Sequence, residues 1–136
     1  MKGVIQDDRE AKLVVESELG ITISAPFSGL VFFEDKRPTG AAIFNHYDKW
    51  DVWFTCVLYG GDLGIRIARQ VADYVFRQMD CHRCTAITAR SNIPAQKALK
   101  QLGFKLEGIM DERFPSGEDG FVYGLLRAEQ HFLRRL

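Results

Sequence analysis

The chain has 136 residues, 46% hydrophobic and 26% charged, a balance that fits one globular domain and excludes a disordered or collagen-like chain. Basic and acidic side chains number 18 each, so no net field draws the protein to nucleic acid or to an anionic membrane. No run approaches the ~20 apolar residues of a membrane span. The opening stretch to Glu10 is too acidic for a signal peptide. Cysteine is sparse and odd in number (Cys56, Cys81 and Cys84), which points to a reducing, cytoplasmic setting.

Asp8 to Leu19 has the apolar spacing of an amphipathic helix, with Asp7 or Asp8 to cap it and Gly20 to end it. Leu30 to Glu34 reads as a strand, Asp35 to Gly40 as a turn, and Ala41 to Tyr47 and Trp50 to Tyr59 as two further strands. At Gly60 the period changes. Leu63 to Met79 carries a helical face through Ile67, Val71, Val75 and Met79. Thr85 to Ala89 alternates as a strand, and Asn92 to Leu102 is a helix stopped by Gly103. Phe104 to Phe114 and Phe121 to Leu126 flank the turn sequence Pro115 to Gly120, a hairpin signal. Ala128 to Leu136 reads as one or two last helical turns. With no linker or repeat, residues 1–136 make one α+β domain built on a mixed sheet.

The join Tyr59-Gly60-Gly61-Asp62-Leu63-Gly64-Ile65-Arg66 connects a strand to a long helix. Glycines at a helix start let an anion reach unpaired N–H groups, so a pyrophosphate fits there, with Arg66 and Arg69 one turn in. A plain flexible turn fits as well, and Asp62 is either an unfavourable like charge or the helix N-cap. Cys81-His82-Arg83-Cys84 falls one ligand short of a closed zinc site, and no thioredoxin-like pattern flanks it. Cys84 therefore reads as a small buried hydrophobe, and no metal is expected. In the run Trp50, Trp53, Phe54, Tyr59, alternation sets Trp53 and Tyr59 on one face and Trp50 and Phe54 on the other.

Asn92, Ala95, Leu99, Leu102, Gly103, Phe104, Glu107 and Gly108 resemble the second half of the GCN5-related N-acetyltransferases, where a strand leads to an Asn, a short helix and "LGF". Asp119, Tyr123 and Gly124 are similar to a strand of the branch that acetylates ribosomal-protein amino termini. The abbreviated N-terminal part also resembles acetyltransferase-like proteins of bacteriophages, which would place this chain in the host bacterial cytoplasm.

The resemblance implies a mixed, mostly antiparallel sheet of about six strands, splayed between Trp50–Tyr59 and Thr85–Ala89. It implies acetyl-CoA in that gap. Backbone at Cys56, Val57 and Leu58 would pair with the pantetheine, and Gly60, Gly61, Gly64, Ile65 and Arg66 would hold the pyrophosphate. Asn92, Ala95 and Lys97 would meet the cofactor's far arm. The family's loop pattern is matched only at Gly64, and Leu99 stands where many members carry a tyrosine acid.

Acyl transfer to an amine needs a proton removed from the amine and one returned to the leaving thiolate. The base candidates are His46, Asp51 and Asp48; for proton return they are Tyr123 and Ser91. A polar turn histidine, a solvated aspartate and a core phenol describe His46, Asp51 and Tyr123 equally well. The expected acceptor is an amine of a protein or small molecule. The alternative is a catalytically weak or inactive member of the fold that binds a host protein. Exposed aromatics on the sheet would favour a homodimer.

Overall fold

The computed structural model describes residues 2–59 and 64–130. Gly60, Gly61, Asp62 and Leu63, and the tail beyond Gln130, lie outside the described residues, and with them the glycine loop and the last helical turns expected there.

The elements in chain order are β1 (Lys2–Gln6), α1 (Asp8–Leu19), β2 (Phe27–Glu34), β3 (Arg37–Asn45), β4 (Asp51–Leu58), α2 (Ile65–Asp73), β5 (Arg83–Ala89), α3 (Ile93–Gln101), β6 (Lys105–Met110) and β7 (Gly120–Leu126). A π-helical turn, Tyr74–Gln78, extends α2, so the long helix expected there is one rod with a wider last turn. The strands form one seven-stranded sheet in the order β1-β2-β3-β4-β5-β7-β6. Every neighbouring pair is antiparallel except β4 and β5.

Local sequence explains most boundaries. Asp7 accepts the N–H of Glu10 at 3.1 Å and caps α1, and Gly20 closes it in the left-handed region at φ 66. Asp35 and Lys36 both take positive φ, which makes a two-residue hairpin turn of the hand that suits twisted strands. β3 therefore begins at Arg37, inside the stretch expected to be turn. Pro38 is tolerated because β3 pairs with β4 only from Gly40 onward, so the N–H that proline lacks has no ladder to complete on that side.

Alternation divides the sheet into two faces. Phe54, Cys56 and Leu58 face the larger core, under α2 and α3, with Phe44 stacked on Phe54 at 5.1 Å. Val57 faces a smaller core beneath α1, with Ala11, Val15 and Ile43. β1 adds a seventh strand to the six expected, pairing with β2 from Lys2↔Glu34 to Gln6↔Leu30.

Candidate active site

β4 and β5 run side by side from Asp51↔Arg83 to Thr55↔Ile87 and then part. β4 continues through Cys56, Val57 and Leu58, still paired to β3, while β5 continues through Thr88 and Ala89, still paired to β7. In the fork, the facing backbone edges of the two strands have no strand partner. A ligand with amide groups can complete such an edge as an added strand does. The hydroxyl of Thr88, fully buried at the start of the fork, has no hydrogen-bond partner among the described residues.

A cleft of about 580 Å³ opens at the fork, lined by Val57 and Leu58, by Ala89, Ser91, Asn92 and Pro94, and by the end of α1. Its α3 side is tightly held. Asn92 Oδ1 accepts the N–H of Ala95 at 3.1 Å and caps the helix, with Pro94 in the first turn, where its missing N–H is not needed. The Ser91 N–H donates to Glu118 at 2.7 Å, and Gln96 donates to the Arg90 carbonyl at 2.6 Å.

A second cleft, of about 760 Å³, lies between the segment from Gly20 to Pro26 and the β6–β7 connection, floored by Asn45, Trp53 and Thr55. Gly20, Phe114 and Pro115 line both clefts, so they form the wall between them. Phe114 is buried against Ile87 and Ala89 and fixes that wall.

The catalytic candidates fall in different places. His46 lines the larger cleft, held at φ 52 with its ring 4.6 Å from that of Trp53. Asp51 lines neither cleft. It accepts the Thr85 hydroxyl at 2.9 Å and lies 3.9 Å from Arg83, which also holds Glu107 across Gly124. Burial pushes the Asp51 carboxyl up, against the pull of Thr85 and Arg83. Tyr123 sits in the large core with Leu99 and Leu102, and burial pushes its phenol up. Of the two minor candidates, Ser91 lines the smaller cleft, whereas Asp48 accepts the N–H groups of Trp50 and Asp51.

The cofactor candidates also divide. Val57, Leu58 and Asn92 line the cleft at the fork. Cys56 points into the large core, where burial pushes its thiol up to about 12, and contributes backbone alone. Ala95 is buried, with its N–H taken by Asn92, while Lys97 and Ile65 are exposed. Arg66 borders a separate hollow beside β1 with Lys2 and Lys36. Gly64 is the N-cap of α2 at φ 85, with no side-chain cap. Cys81 and Cys84 are buried free thiols.

The comparisons agree with this geometry. No family model matches the chain. A dodecameric structure of the spermidine N-acetyltransferase of Vibrio cholerae superposes with a TM-score of 0.71 over 98% of this chain and 97% of its own, at 14% identity. The fold is that of the GCN5-related N-acetyltransferases. A structure of an acetyltransferase of unassigned substrate from T. thermophilus gives a TM-score of 0.65 at 19% identity, over 85% of this chain and 65% of its own. By sequence, the uncharacterized N-acetyltransferase YnaD of Bacillus subtilis (strain 168) is 31% identical over 65 residues. That match spans 46% of this chain and 38% of the relative.

Members of this fold that act on amines draw the acetyl group from acetyl-CoA, and the residues at the fork suit its pantetheine arm. The unpaired strand edges offer donors and acceptors to its amides, and the cleft has space for a chain of that length. The phosphate end is less well provided: Glu18 and Glu118 line the cleft, with no Lys or Arg among its described lining. Positive charge there has to come from the N-terminus of α2 or from side chains that reach across.

The dual position of Asn92, cap and cleft wall, sets up one test. Asn92→Asp keeps the capping oxygen but replaces the amide donor with a charge, so stability should hold while CoA binding weakens at least tenfold. Asn92→Ala should lose roughly 1 kcal/mol of stability as well. Melting curves and calorimetric titrations of both variants check this; equal CoA affinity in Asn92→Asp would leave Asn92 a cap alone.

Proposed function

We propose that this protein is an N-acetyltransferase of the GCN5-related family that moves an acetyl group from acetyl-CoA to an amine. The fork between β4 and β5, with its unladdered backbone at Cys56 to Leu58, is the observation that carries the reading. Acetyl-CoA supplies the acyl group as an activated thioester. The strand edge at Cys56 to Leu58 orients the donor, and the wall of Phe114 and Pro115 sets where donor and acceptor sides meet. An imidazole nitrogen of His46 takes the proton that the amine must lose, directly or through water. The ring contact with Trp53 limits the angles from which it does so.

The two glutamates in the donor cleft favour one rival, a protein that keeps the fold and binds a partner without turnover. Calorimetry with acetyl-CoA and with free CoA separates the two. Saturable binding of both ligands in the micromolar range is the expected result. No heat at millimolar ligand would remove the enzyme reading and leave the rival.

A further inference from the structure

The larger cleft says something about the acceptor. Asn45 is the last residue of β3, in register with Trp53, and its side-chain oxygen is buried on the cleft floor. That oxygen has no hydrogen-bond partner among the described residues. A buried acceptor left unmet at the floor of an open cleft calls for a donor from whatever fills it. The charge lining the cleft is balanced: Glu112 is its one carboxylate and Arg113 its one guanidinium among the described lining. A multiply charged polyamine therefore finds no excess of carboxylates to neutralise it. One long wall, Ile21 to Ala25, runs past the cleft outside any helix or strand. Such a strip presents backbone groups at the spacing of an extended peptide.

We infer that Asn45 anchors the N–H of an acceptor that carries one amino group on a neutral, amide-bearing body, as at the amino terminus of a peptide. The inference rests on the acetyltransferase reading for the direction of transfer, but the preference belongs to the cleft itself. Asn45 is here a positioning residue: it holds the acceptor within reach of His46 and takes no part in proton transfer.

The test titrates the protein, without donor, with trialanine amide and with spermidine, reading the Trp53 indole and Asn45 side-chain NMR signals. Trialanine amide should shift both signals saturably and bind at least tenfold more tightly than spermidine. Asn45→Leu should weaken trialanine amide at least tenfold. Asn45→Asp, which adds a carboxylate to the floor, should move the preference towards spermidine. A parallel CoA titration of each variant reports whether the fold and the donor cleft survive the substitution. Spermidine binding as tightly as the peptide, no peptide binding, or full peptide affinity in Asn45→Leu would each overturn the inference. CoA failing to bind would instead remove the acetyltransferase reading, leaving the amine preference of the cleft to stand or fall on its own titrations.

Discussion

Gly29→Ala is expected to lower the melting temperature by roughly 10 °C, a loss of about 2–3 kcal/mol. Gly29 lies on β2 directly beneath α1, and a Cβ there would fall inside the space of the Ala11 methyl. It would also come within 3.3 Å of the Ala42 carbonyl oxygen and of Ile43 Cδ1. None of these neighbours has an easy way out. Ala11 is fully buried, Ala42 belongs to the sheet, and the helix start is tied to Gly29 on both sides. The Gly29 N–H donates to Asp8 at 2.8 Å, and the Asp7 N–H donates to the Gly29 carbonyl at 3.1 Å.

The added methyl must therefore lift α1, opening the small core of Val15, Val31 and Ile43. Because Ser17 to Gly20 line the donor cleft, the same movement should weaken CoA binding. Scanning calorimetry checks the first effect and titration the second. The double variant Ala11→Gly with Gly29→Ala exchanges the methyl between the two sites. It should recover part of the loss, less the ~1 kcal/mol that glycine costs within a helix. An unchanged melting temperature in Gly29→Ala alone would mean that α1 rides higher on the sheet than these contacts require.

How much of the fold is legible in the sequence depends on how local each signal is. The caps of α1 and α3 are written within three or four residues, as Asp7 to Glu10 and as Asn92 to Ala95, and both stand where the spacing puts them. Alternation along β4 also reads through, with Trp53 and Val57 on one face and Phe54 and Cys56 on the other. Strand β1 escapes because it is short and at the sheet edge, with two exposed residues and only Val4 and Ile5 branched. Arg37 to Gly40 reads as turn because Pro38 and Gly40 are breakers by composition. Only the late start of the β3–β4 pairing excuses the proline. Phe104 to Phe114 reads as one strand, but β6 stops at Met110, and Phe114 turns inward to cover Ile87.

The candidate site follows the same rule. Asn92 and the Cys56 to Leu58 stretch belong to single elements, and the sequence points to them. The acceptor cleft does not show in it, since its floor and walls come from four separated segments, and only folding brings Gly20 beside Phe114 and Asn45 beside Trp53. Asp51 and Tyr123 carry the right chemistry for proton transfer, but register sets the first beside Arg83 and the second against Leu99.

Gly64→Val is expected to weaken CoA binding at least tenfold, about 1.4 kcal/mol. Gly64 precedes the first turn of α2 at φ 85 and ψ 149, a region that side-chain-bearing residues avoid. It offers no side chain to the unpaired N–H groups of that turn, which leaves them open to an anion. A Cβ at this position would stand 2.9 Å from Lys2 Cδ and 3.5 Å from Lys2 Nζ, so valine also displaces a positive charge from the helix start. Two costs then arise together. The backbone strain should remove about 1–3 kcal/mol of stability, whatever binds. The blocked approach should remove affinity on top of that.

Titrating well below the melting transition of the variant keeps the two apart, because a fully folded population reports only the second. Lys2→Met provides the companion measurement: it keeps the glycine and its backbone, and removes only the charge. If the phosphates dock at this helix start, Lys2→Met should weaken CoA less than Gly64→Val does, and its loss should shrink as salt is raised. Parental affinity in folded Gly64→Val would place the phosphates away from α2 altogether.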